Sequence, residues 1–306
     1  MLPDPKLNLA QTSKLIESWG LQPRVSEIII GQDPLFPRLA NTDAKRFADL
    51  KAAIESSEVR AIWGIRGGYG AMRLLSYLQT ELSVPAEVKL FIGFSDLTLL
   101  HGYFNQQWGW NTIHGPSALQ VAENRVALED AQILKKMIFA EIAKVCYFDL
   151  QPLNEAASTQ GKITDTTVIG GNLTLVCRVL ATPFAFAARD KILLLEDLNE
   201  SFRAVDGMLH QLEYSGVFAE ADRSRADKPR AVILGDVQAN EPGQQPDIER
   251  AIHFFASKLD KLAIPVLRCR NIGHGKGNHP IPMGPKASLT LGKNPCLEID
   301  VGWQRP

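Results

Sequence analysis

Residues 90–100 read LFIGFSDLTLL, with one serine between two apolar runs. A buried strand ending in glycine, a single serine, and a helix that starts at once is the layout that projects a nucleophile from a strand tip. The helix N-terminus behind Ser95 would aim backbone N–H groups at a nearby oxyanion. Ser95 and Asp96 are also good helix caps, and the usual second glycine is replaced by Asp96-Leu97. The stretch by itself therefore supports either use. Arg66-Gly67-Gly68-Tyr69-Gly70 lies between a second strand pattern and a helix pattern, where successive N–H groups can form an anion nest. No Gly-Lys-Ser/Thr follows, and the glycine spacing is wrong for a dinucleotide. The loop fits better as the second wall of an oxyanion hole, with the N–H groups of Gly68 and Asp96 as donors.

A serine nucleophile needs a base, and the chain has six histidines. His101, His210 and His253 fall in helical patterns and read as core or surface residues. His114, in Ile113-His114-Gly115-Pro116, lies at the edge of the first half and stays open as a candidate. His274 and His279 sit in NIGHGKGNHP, where glycines let backbone approach a ligand and an imidazole project freely; His274 is the preferred base. The acid is sought in LLLEDLNE. Ile192 to Leu195 is uniformly apolar, as a strand buried on both faces should be. Glu196 is the first polar residue at its carboxyl end, where open α/β sheets place their sites. Asp197 points to the opposite face and suits a cap, and Glu200 suits solvent or the next helix.

The elements that must position these groups alternate along the chain. Helical patterns cover 8–20, 43–54, 71–78, 123–142, 202–215 and 248–259, and a short helix opens at Gly170-Gly171-Asn172. Strand patterns cover 25–30, 61–65, 90–92, 192–195, 231–234 and 264–267, and 271–283 reads as loop. Alternation of this kind predicts an α/β protein: an N-terminal doubly wound, mostly parallel sheet and a smaller C-terminal α/β domain, with the site at their interface. The domains are expected at 1–150 and 165–306, joined by a small, polar linker at 151–164.

Length, at 306 residues, agrees with two domains. A net charge of −1 gives no electrostatic reason to expect nucleic acid or an anionic membrane as partner. The four cysteines are scattered without a Cys-x-x-Cys pair, and no HExxH pattern occurs. No metal, cofactor or disulfide framework is expected, and a reduced cytoplasm is the expected home.

Six stretches, IRGGYGAMRLL, FIGFSDLT, IHGP, GGNLTLV, LLLEDLNE and NIGHGKGNHPIPMG, occur in the order found in the LD-carboxypeptidase family of serine peptidases. That family includes muramoyl-tetrapeptide carboxypeptidases and microcin-C self-immunity amidases, and the resemblance covers nearly the whole chain. It implies a Ser-Glu-His triad of Ser95, Glu196 and His274, with Gly68 and Asp96 as hole donors. It also implies a cytoplasmic homodimer that cleaves the diamino acid–D-alanine bond of murein tetrapeptides during peptidoglycan recycling. The alternatives are an amidase acting on a peptide-nucleotide antibiotic and, in another class, a non-catalytic anion-binding protein. Two departures stand out. The family opens with an apolar strand running into Pro-Ser, whereas this chain opens MLPDPKLNLAQTSKLIESWG, so a weakly covered sheet region is expected near Ile28. Phe202 and Gly207 stand where the family often has Tyr and Arg, which touches substrate preference more than the triad.

Overall fold

The computed structural model describes residues 9–218, 228–275 and 277–303. The first half supplies strands β1 (Ala61–Trp63), β2 (Leu90–Gly93) and β3 (Thr112–His114). These pair in parallel, in that order, as crossover helices require. Around them lie α1 (Leu9–Ser18), α2 (Asp43–Glu55), α3 (Leu75–Glu81), α4 (Thr98–Gln107), α5 (Ala118–Ala122) and α6 (Leu128–Ile138). The second half supplies β4 (Lys144–Tyr147), β5 (Gln151–Pro152), β6 (Gly161–Asn172), β7 (Ile192–Glu200), β8 (Ala231–Ala239) and β9 (Val266–Arg268), followed by β10 (Ile281–Met283), β11 (Lys286–Leu291) and β12 (Cys296–Asp300). Its helices are α7 (Glu155–Ser158), α8 (Leu173–Arg178), α9 (Phe202–Tyr214) and α10 (Gln245–Asp260).

The sheets run β1-β2-β3-β10 and β4-β12-β11-β6-β7-β8-β9-β5. The C-terminal unit, expected to be the smaller, thus carries the larger sheet. β6 makes this possible: its first part pairs antiparallel with β11, and its last five residues pair parallel with β7. The stretch 151–164, expected to be a linker, holds β5, α7 and the start of β6. Asn154 fixes it, accepting from Val266 N at 3.0 Å and donating to Ile264 O at 2.9 Å.

Side chains alternate between two cores, because strands buried on both faces send successive residues to opposite layers. Phe91, Leu193 and Leu195 join the cluster that includes Phe104, Leu209 and Phe255. Ile92, Ile192 and Leu194 join the other, with Ile113, Met137 and Ile281. The first cluster draws on helices of both halves.

Val25–Ile30 is a correction. Glu27–Ile30 forms a 3-10 turn, with Val25 and Ile30 on the surface. Its backbone groups are satisfied locally: Gly31 N donates to Ile28 O at 3.1 Å, and Asn41 Nδ2 donates to the same carbonyl at 3.0 Å. The region near Ile28 is therefore not sheet, and the edge of the first sheet is β1. There Trp19 stacks on Trp63 with centroids 5.6 Å apart. A second correction concerns the expected 271–283 loop, whose last three residues form β10 and pair antiparallel with β3.

Candidate active site

β2 ends at Gly93, Phe94 is extended, and Ser95 has φ +62° before a 3-10 turn (Ser95–Leu97) leads into α4. A left-handed serine between strand and helix is a backbone cost that surrounding contacts must hold in place. Two glycines provide the room. A Cβ at Gly64 or Gly93 would fall 2.2 or 2.4 Å from Leu97 Cδ1, so Leu97 is seated in a notch that only glycine leaves open. The Gly93 carbonyl accepts from Gly115 N at 2.9 Å and pairs with His101 Nε2 at 2.8 Å.

The 66–70 loop lies directly on the serine. A Cβ at Gly67 would be 2.7 Å from Ser95 Cβ and 2.9 Å from its Oγ, and Gly68, at φ +140°, faces open space. Asp96 ties loop to elbow, because its Oδ2 accepts from Ala71 N at 2.7 Å. Burial raises the Asp96 carboxyl, while the Ala71 bond and the Arg46 and Arg178 charges offset part of the effect. The side chain of Asp96 thus sets the loop, a use not visible in the sequence.

β7 runs on to Glu200, past the expected end at Leu195, and its register with β8 slips on either side of Asp197. The slip leaves Glu196 fully buried at the carboxyl edge. Its Oε2 lies 2.6 Å from His274 Nδ1. Close glycines allow the approach: a Cβ at Gly273 would be 3.0 Å from Glu196 Oε2, and one at Gly235 would be 2.8 Å from Glu196 Cβ. Burial alone would lift the Glu196 carboxyl, but the His274 and His114 imidazoles win and hold it below the ordinary range. Burial pulls His274 down, yet the Glu196 carboxylate outweighs it and raises the imidazole above its usual value. The ring of Phe94, the neighbour of Ser95, lies 4.6 Å from the His274 ring. The fold therefore brings the serine turn and the acid–imidazole pair to one place, from different halves of the chain.

The other acids of LLLEDLNE have separate work. Asp197 accepts from Asn172 Nδ2, Thr174 N and Thr174 Oγ1, each at 2.8 Å, and from Leu198 N at 2.9 Å, so it clamps the start of α8 as well as the residue that follows it. Burial and the neighbouring Glu196 charge push it up to about 6. Glu200 accepts from Thr174 Oγ1 at 3.2 Å.

Among the histidines, His253 is exposed on α10, and His210 lies on α9 with Nδ1 3.0 Å from Asp206 O. His101 is buried and pushed down to about 3 by burial and by His114. His279 pairs with Asp130 Oδ1 at 2.8 Å, and Asn278 N donates to Asp130 Oδ2 at 3.1 Å. With Tyr147 donating to Pro280 O at 2.6 Å, this pair anchors the far end of the His274 loop. Asp130 carried no local signal, since it lies 149 positions from His279 on an ordinary amphipathic helix. No group of three or more His, Cys, Asp or Glu that could hold a metal ion occurs among the described residues, and none of their helices is long and apolar enough to cross a membrane.

Comparison with known proteins places the chain in a family. A Streptomyces coelicolor relative is 33% identical over 94% of this chain and 87% of its own length. The murein tetrapeptide carboxypeptidase of Pseudomonas aeruginosa is 28% identical over 82% of this chain and 79% of its own. The crystal structure of muramoyltetrapeptide carboxypeptidase from Oxalobacter formigenes shares the fold, with a TM-score of 0.75 at 21% identity, covering 100% of this chain and 98% of that one. Residues 2–115 match the LD-carboxypeptidase N-terminal domain and residues 165–289 its C-terminal domain. With its sequence and its fold in agreement, the chain belongs to the LD-carboxypeptidase family and is a hydrolase of the serine carboxypeptidase kind.

Proposed function

We propose that the protein removes the terminal D-alanine from murein tetrapeptides, by cleaving its bond to the diamino acid, and does so as a cytoplasmic homodimer in peptidoglycan recycling. The buried 2.6 Å contact between Glu196 and His274, beside the left-handed Ser95, is the observation that carries the reading. His274 Nε2 takes the proton from Ser95 Oγ as the oxygen attacks the carbonyl carbon. The N–H groups of Gly68 and Asp96 receive the oxyanion. His274 then protonates the departing amine of D-alanine, and water, deprotonated by the same imidazole, frees the acyl-enzyme. Glu196 holds His274 with Nδ1 protonated and Nε2 facing the serine, and it stabilises the imidazolium that forms.

D-alanine release from muropeptide tetrapeptide, compared with tripeptide and pentapeptide, tests the substrate. Turnover of tetrapeptide alone is the expected result. Turnover of an aminoacyl-nucleotide amide in its place would move the assignment to the antibiotic-inactivating alternative. A fluorophosphonate probe should label Ser95, and His274→Ala should abolish the labelling; stoichiometric anion binding without labelling would favour the non-catalytic reading. Light scattering on the purified protein tests the dimer.

A further inference from the structure

Glu196 meets two imidazoles, and the triad uses one of them. On the far side of the carboxylate His114 is fully buried, with Nε2 3.6 Å from Glu196 Oε1. Neither nitrogen of His114 nor Oε1 of Glu196 has a hydrogen-bond partner among the described residues. Buried polar atoms without partners are rare and costly, and a shift of about 0.4 Å brings this pair within N–H···O range. We infer that His114 is a positioning residue, donating from Nε2 to the second oxygen of Glu196 so that the acid is gripped from the first sheet while its other oxygen holds His274.

The surroundings of His114 suit a fixed support. It ends β3, paired with Gly93 on one side and Ile281 on the other, so its backbone cannot wander as a loop does. Phe94 stands edge-on to its ring at 6.2 Å and also touches His274. A Cβ at Gly171 would lie 3.3 Å from His114 Cδ2, so the space for this ring depends on a glycine. A second titratable group facing His114 is His101, on α4 at 6.0 Å between rings. His274 is faced by Glu196 and Asp197 of β7 and Asp236 of β8. An apolar residue would fill the His114 position more cheaply if packing were its whole purpose.

The inference rests on the Ser95–Glu196–His274 reading, and its test separates the two. His114→Phe keeps the volume and removes the donor, His114→Gln keeps a donor near Nε2, and His114→Asn has a donor that is too short to reach. Hydrogen bonds to charged groups predict a ~10–100-fold fall in kcat for His114→Phe, with KM changed by less than about 2-fold. Without the donor, Glu196 attracts the His274 proton more strongly, so the acid limb of kcat/KM moves to higher pH. His114→Gln should stay within about 5-fold of wild type with its limb in place, and His114→Asn should behave like His114→Phe. If His114→Phe does not fold, the Gln–Asn contrast gives the same decision. Wild-type kcat and limb in His114→Phe, or equal losses in Gln and Asn with no movement of the limb, overturn the inference. Ser95→Ala is the companion measurement: if it is inactive while the His114 variants are normal, only the His114 role falls. Wild-type turnover by Ser95→Ala removes the triad itself, and the His114 role with it.

Discussion

The three candidate catalytic side chains differ in what holds them, and their substitutions should differ accordingly. Ser95 is half-buried at a strand tip, so Ser95→Ala should remove turnover and leave the melting temperature within about 1 °C, as for other substitutions away from a packed core. Glu196→Gln keeps the shape but not the charge, and an acid of this role is worth ~10⁴ in kcat. Asp197→Asn should act on stability, because an amide replaces a carboxylate that accepts three donors at 2.8 Å. A loss of ~1–3 kcal/mol in urea unfolding is expected, with kcat little changed. An inactive Asp197→Asn enzyme of wild-type stability would exchange the two acids. The pH profile follows from His274, whose raised pKa leaves it protonated, and useless as a base, at a higher pH than an ordinary imidazole. The acid limb of kcat/KM should therefore lie above the ordinary histidine value of about 6.5; a limb below that value would mean that burial outweighs Glu196. These candidates were legible in the sequence where a residue type suggests its own chemistry: a serine after a strand, an acid ending an apolar run, a histidine among glycines. The pairings of His114 with Glu196 and of Asp130 with His279 were not, because the partners lie far apart along the chain.

At the scale of elements, the site is built from turns that only glycine permits. Gly67→Ala would press a methyl group against Ser95 and should cut kcat by at least 10-fold while the sheet stays intact, since near-attack geometry tolerates little displacement. Unchanged turnover would mean that the 66–70 loop does not wall the oxyanion. Gly207 is the opposite case. It sits exposed within α9 with no atom within 4 Å of where its Cβ would be. Gly207→Ala should raise stability by ~0.5–1 kcal/mol, read by urea unfolding. The long helices and central strands were readable because burial on one stripe or two faces leaves a strong pattern. β10 was not, since Pro282 lies in its middle and proline argues against a strand. The structure resolves the conflict by placing β10 at a sheet edge, where proline is tolerated. The Val25–Ile30 run shows the converse: β-branched residues form no strand when no neighbouring strand is there to pair with them.

Over the whole molecule the two halves are laced together more tightly than two domain matches suggest. β10, from the second half, completes the first sheet, Asn172 N donates to Thr98 Oγ1 at 3.0 Å, and both core clusters run through both halves. Urea unfolding followed by tryptophan fluorescence and by far-UV circular dichroism should therefore give one coincident transition. Two separated midpoints would show that the halves melt independently. The excursion of β10 also bears on how the protein comes into being. The outer neighbour of His114 is a strand that ends at Met283, so the first sheet waits for most of the chain before its fourth strand exists. At ~5–20 residues per second, a ribosome needs roughly ten to thirty seconds to pass from His114 to Met283. Through nearly all of that interval the nascent protein already contains its serine turn, with neither the histidine that would activate it nor the strand that closes its sheet. Hydrolytic power would thus arrive only after both His274 and β10 have been made.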